Sequence, residues 1–144
     1  MKPLNLTIML ILVNTTIFGQ NTKLAEQKIT ALVTNFSAAV ETRNIELVAP
    51  LLNDNFRVLA NRFPTADKTT VLTKESYLSL LTAGKIGGEK RSVTISALDV
   101  NEHIASAKVV FESDKAVFTT YQTYILNSNN VWQIASDMPH VKNK

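Results

Sequence analysis

The stretch NEHIASAKVVFESDKAVFTTYQTYILNSNNVWQIASDM (101–138) decides the fold. From Asn101 to Glu112 the residues alternate: His103, Ala105, Ala107, Val109 and Phe111 lie on one side, Ile104, Ser106, Lys108, Val110 and Glu112 on the other. That period of two predicts a half-buried strand. Ser113, Asp114 and Lys115 supply a turn, and Ala116–Leu126 follows, rich in β-branched and aromatic residues on both faces as in a central strand. Asn127, Ser128, Asn129 and Asn130 supply a second turn, their short side chains bonding nearby backbone. The last strand starts at Val131, pointing Trp132, Ile134 and Ser136 one way and Gln133, Ala135 and Asp137 the other, until Pro139 stops it. Short connections of this kind predict an antiparallel meander.

Upstream, Val93, Ile95 and Ala97 share a face, but the apolar positions then move to Leu98 and Val100. One extra residue near Ala97 explains the change of phase, and such a bulge bends a strand. The sheet is therefore expected to curve. Ala25, Ile29, Leu32, Val33, Phe36 and Val40 recur at helical spacing behind a cap at Asn21 or Thr22, forming a rod with one apolar face. Asn44 caps a second, shorter helix interrupted by Pro50 and ended by Asn53, Asp54 and Asn55. A strand is expected over Phe56–Phe63 and a short one at Val71 and Leu72. Thr73 then caps a third helix carrying Tyr77, Leu78, Leu80 and Leu81, which Gly84 stops.

Residues 1–19 read as a secretory signal peptide: Lys2, an apolar run from Leu4 to Val13, and a cleavage point after Gly19. The run is interrupted by Asn14, Thr15 and Thr16, short of the ~20 apolar residues of a membrane span. The expected location is thus periplasmic or secreted, with no membrane association after processing. Residues 20–144 suffice for one domain. The net charge of +3 falls by one with Lys2, and the basic residues are scattered apart from Lys85, Lys90 and Arg91, so no nucleic-acid partner is expected. The chain has no cysteine, which excludes disulfides, thiolate metal sites and a cysteine nucleophile. Gly87 and Gly88 lack the Lys and Ser or Thr of a phosphate-binding loop.

The order helix, helix, strand, helix and bent meander resembles the nuclear transport factor 2-like superfamily, and within it the exported SnoaL-like or lumazine-binding-like branch. The resemblance spans residues 24–138 and rests on the helix from Leu24 to Val40, the Asp54-Asn55-Phe56 ending of the second helix, and Tyr121–Leu126 followed by Trp132-Gln133-Ile134. It implies an α+β, cystatin-like cone: three N-terminal helices packed on a strongly bent, mostly antiparallel sheet, often dimeric through the sheet's outer face. The superfamily includes isomerases, cyclases, dehydratases, ligand binders and interaction modules, so fold does not choose among them.

The residues offer few chemical candidates. His103 and His140 read as separate surface residues with no carboxylate at ligand spacing, so neither metal nor cofactor is expected. Arg57, in a strand among apolar neighbours, reads either as an outward arginine or as a fork for a ligand carboxylate. Thr119, Tyr121 and Thr123 read either as a surface row or as hydroxyls lining a pocket. Asp137 reads as a strand-end acid in water or as a buried carboxylate with a shifted pKa, and Tyr77, Tyr121 and Tyr124 as core, interface or hydrogen-bond donors. The leading expectation is a domain that binds a small apolar or aromatic ligand through Arg57, Tyr77, Tyr121, Thr123 and Asp137, with no catalytic residue assigned. A proton-transfer enzyme and a non-catalytic dimerisation module are the alternatives.

Overall fold

The computed structural model describes residues 7–144, with side chains from residue 19 onward. The start of the expected signal peptide, residues 1–6, lies outside the described residues. The elements run α1 (Thr7–Glu41), α2 (Ile45–Val48), a 3-10 turn (Ala49–Leu51), β1 (Leu52–Asn61), β2 (Thr69–Thr73), α3 (Lys74–Thr82), β3 (Ser92–Asn101), β4 (Ile104–Glu112), β5 (Ala116–Leu126) and β6 (Trp132–Asn143). The strands form one sheet in the order β2-β1-β6-β5-β4-β3. β1 and β6 are parallel, and all other neighbours are antiparallel. Among the described residues no helix is long and apolar enough to cross a membrane.

Three irregularities bend the sheet, and register places them on one line across it. In β3 an extra residue lies between the pairs Ser96↔Lys108 and Asp99↔Ser106, where Ala97 takes a φ of 49°. This bulge faces Ala107, which pairs with Gln122. Next along, β6 slips by one residue between Tyr124↔Ile134 and Thr123↔Ser136, and β1 bows out between Leu52 and Arg57 beside that slip. Each bulge raises the local twist and kinks its strand, so the line acts as a crease. The concave side receives α1.

Among the described side chains of α1, Ile29, Leu32, Val33, Phe36 and Val40 of the predicted stripe are buried, with Ser37 and Ala39 beside them and Ala25 half-buried. They meet Ala105, Ala107, Val109 and Phe111 of β4 and Tyr124, Trp132 and Ile134 of β5 and β6. Ala105 and Ala107 are buried in the same core as Phe36, Phe56 and Phe111. The rod nests in the hollow as its pattern requires.

Three local expectations are corrected. Asn21 and Thr22 do not cap α1, because the helix runs unbroken through them from Thr7. Asn53–Asn55 belong to β1 and do not end a helix; the second helix stops at Val48 and passes through the 3-10 turn containing Pro50. The turn chemistry is real but local, since Asn53 Oδ1 accepts from Asn55 N at 3.0 Å inside the bowed segment. Pro139 does not stop β6, which continues to Asn143. Pairing with β1 ends at Asp137, so Pro139 has a strand neighbour only in β5 and its missing N–H is tolerated.

The α3–β3 connection is fastened to the end of α1. Arg43, at φ 51°, donates from Nε to the Ile86 carbonyl at 3.0 Å and from Nη2 to the Gly87 carbonyl at 2.8 Å, while Gly88 N donates to the Val40 carbonyl at 3.1 Å. Gly87 sits at φ 69°, and a Cβ there would meet the Val40 carbonyl oxygen at 2.5 Å and Leu81 Cδ1 at 2.7 Å. Gly87→Ala should therefore destabilise the domain by roughly 1–3 kcal/mol, read as a lower urea midpoint. An unchanged midpoint would show that the connection is not held in this way.

Candidate functional site

The slip in β6 determines which polar groups enter the hollow. Without it, Asp137 would share a face with Gln133 and Ala135. With one residue inserted, Asp137 lies opposite Gln122 and beside Val58, both inward-facing. The residue as a whole is half-buried, and its Oδ1 is the oxygen held from inside. Thr120 Oγ1 donates to Asp137 Oδ1, and Gln122 Nε2 donates to the same oxygen at 3.2 Å. The Tyr124 hydroxyl donates to Gln122 Oε1 at 2.9 Å, completing a chain Tyr124–Gln122–Asp137. Thr120, Gln122 and Tyr124 are all buried.

Tyr77 enters from α3 and Arg91 from just before β3. The Tyr77 ring lies 6.2 Å from that of Phe36 and 5.6 Å from that of Phe56, between α1 and β1. The Arg91 guanidinium lies 4.8 Å from the Phe111 ring centre and 6.0 Å from that of Phe118, a cation over aromatic faces. Tyr77 and Arg91 thus lie among four phenylalanine rings.

Burial governs their protonation. Loss of solvent raises the Asp137 carboxyl above its ordinary value, against the lowering effects of the Thr120 and Gln122 hydrogen bonds and the Arg91 charge. Burial, with the nearby Asp137 charge, also raises the Tyr77 and Tyr124 phenols, so both remain neutral donors. Burial lowers Arg91, opposed by Tyr77, Asp137, Glu41 and Glu89. No group of three or more His, Cys, Asp or Glu among the described residues is placed to hold a metal ion.

Of the five residues expected from sequence, the hollow brings together Tyr77 and Asp137. Arg57, Tyr121 and Thr123 lie on the outer face. Arg57 is exposed and donates to the carbonyls of Asn55 at 3.1 Å and Phe56 at 2.7 Å. Tyr121 is 56% exposed, and Thr123 shares a 2.6 Å hydrogen bond with Ser136. β5 turns its even-numbered residues inward, so Thr120, Gln122 and Tyr124 occupy the place expected for Thr119, Tyr121 and Thr123. Gln122 carried a sequence signal, being a lone amide among β-formers; Arg91 carried none beyond its charge.

The two best-formed grooves lie elsewhere. One, of about 500 Å3, separates Glu26, Thr30 and Thr34 from the bulged part of β3. The other, of about 560 Å3, runs over Lys23, Gln27, Ala31 and Asn35. Both are open and contain no aromatic ring. The candidate site is placed at the interior cluster, because convergent polar groups beside aromatic rings suit recognition of a small molecule better than open grooves without a ring.

The raised Asp137 carboxyl makes a prediction with a definite sign. A carboxyl whose folded pKa exceeds its unfolded one stabilises the fold below the unfolded value, and that contribution is lost as pH rises through the folded value. The stability of Asp137→Asn relative to the parent should therefore rise from below pH 3.8 toward neutral pH, measured by urea unfolding across a pH series. A difference independent of pH would refute the shift.

No family model matches the chain, and no curated protein matches it. Solved structures do. An NTF2-like protein of unknown function from Silicibacter pomeroyi superposes with a TM-score of 0.72 at 15% identity, covering 84% of this chain and 98% of the other. A ketosteroid isomerase-like protein from Erwinia carotovora atroseptica gives 0.65 at 13% identity, over 80% and 94%. A protein of unknown function with a cystatin-like fold from Nostoc punctiforme gives 0.69 at 12%, over 83% and 92%. With three helices on a bent six-stranded sheet, the chain has the α+β cone fold of the nuclear transport factor 2-like superfamily.

Proposed function

We propose that this is an exported domain that binds a small, partly apolar molecule between the curved sheet and the helices and does not transform it. The observation that carries the reading is the convergence of Arg91 and Tyr77, set among Phe36, Phe56, Phe111 and Phe118, on the charge of Asp137. An apolar wall with few convergent polar groups is the composition of small-molecule sites. Binding is favoured over proton transfer because one Asp137 oxygen is already bonded to Thr120 and Gln122, and Tyr124 reaches Asp137 only through Gln122. A general base needs direct reach to the proton it moves. Export rests on the N-terminal sequence pattern, and the geometry accommodates cleavage after Gly19. Residues 19–24 are exposed, and burial of α1 begins at Ala25 and Ile29.

A second reading, self-association through the outer sheet face, is favoured by the exposed Leu59, Val71, Tyr121 and Met138. Leu59 pairs with Val71 and Tyr121 with Met138, so the apolar side chains are adjacent in couples.

Native mass spectrometry of the protein recovered after secretion tests both readings. The expected spectrum is a chain beginning at Gln20, a dimer, and a retained small molecule released on activation. A ligand-free spectrum, together with no thermal shift across a panel of small aromatic and aliphatic compounds, would remove the binding function. An intact Met1 would remove cleavage after Gly19, and absence of the chain from the secreted fraction would remove the export.

A further inference from the structure

The Arg91 guanidinium, half-buried just before β3, is only partly compensated by its surroundings. Its Nη2 is buried and has no hydrogen-bond partner, a state shared only by Ser37 Oγ among the described side chains. No described residue forms an ion pair with it. The acids whose charge it feels are Asp137, Glu41 and Glu89. Glu89 is held by Lys115 at 2.8 Å, and Asp137 accepts from Thr120 and Gln122 while burial favours its neutral form. Buried charges are otherwise paired, because desolvation without a partner is costly. Its flat face stacks on Phe111 and Phe118, which holds the cation in place and leaves the N–H edge as the part without a partner.

We propose that Arg91 is the anion-recognising residue of the cone, and that the molecule taken into the hollow is a small carboxylate with a flat or short apolar body. This rests on the binding function proposed above and specifies its ligand class. A guanidinium presents parallel N–H donors that match a carboxylate, and the free Nη2 supplies one of them. The Tyr77 phenol, which feels the charges of both Arg91 and Asp137, is a neutral donor in the same cluster. The surrounding rings suit an apolar body and exclude a strongly hydrated anion such as sulfate.

The test compares acetate, butyrate and benzoate with their neutral amides. Calorimetry would measure binding, and side-chain nitrogen NMR would follow the Arg91 Nε–H signal. Expected results are carboxylate binding roughly tenfold to a hundredfold tighter than amide binding, as for a hydrogen bond to a charged group, with the Arg91 signal moving only for the carboxylates. In Arg91→Met the preference should vanish while the ligand-free melting temperature equals or exceeds the parent's, because a partly buried charge with an unpartnered N–H is replaced by an apolar chain of similar length. A purely structural arginine would instead lower it. Equal binding of acids and amides, or an Arg91 signal unmoved by all three acids, would overturn the assignment and leave the binding function intact. If neither series binds and no apolar compound does, both fall. The NMR measurement uses the unsubstituted protein and decides the matter even if the methionine variant does not fold.

Discussion

The fit between a straight amphipathic helix and a creased sheet underlies the whole structure. A flat sheet would meet α1 along one line of side chains and leave much of the Ile29, Val33, Phe36 and Val40 stripe wet. The crease through Ala97, Ala107 and Ala135 turns the sheet around the helix, so that residues from β1, β4, β5 and β6 converge on one stripe. Burying apolar side chains contributes about 25 cal/mol per Å2, so curvature converts directly into stability.

The same crease produces the candidate site. A bulge reverses the facing of everything beyond it, and in β6 it delivers Asp137 into a space otherwise lined with hydrocarbon. Gln122 and Thr120 bind the carboxyl, and Tyr124 completes the amide's bonding. These groups satisfy one another. Arg91 is not satisfied within the cluster, and that imbalance separates a structural polar network from a recognition site.

Much of this architecture was legible in the residues. The alternation over Asn101–Glu112, the helical stripe of α1, the caps at Asn44 and Thr73 and the phase change at Ala97 each have a local cause, and each appears where expected. The site was less legible. The phase change in β3 shows in the sequence because apolar residues mark both sides of it, whereas that in β6 falls among Ala135, Ser136 and Asp137, residues indifferent to which face they occupy. Extrapolating the alternation from Trp132 therefore put Asp137 on the wrong side. In β5 both faces are rich in β-formers, so composition could not tell Thr119, Tyr121 and Thr123 from Thr120, Gln122 and Tyr124. Arg91 is recognised by its missing partners, a property of three-dimensional packing.

The bulge at Ala97 has one more effect. β3 is a terminal strand of the sheet, and a straight terminal strand offers a row of open amides onto which another chain can add. The kink breaks that row midway, and Ser92, Thr94 and Ser96 give its exposed side little apolar grip. The feature that rounds the fold thereby also discourages fibril growth from this border, giving the protein colloidal protection without a dedicated segment to cover it.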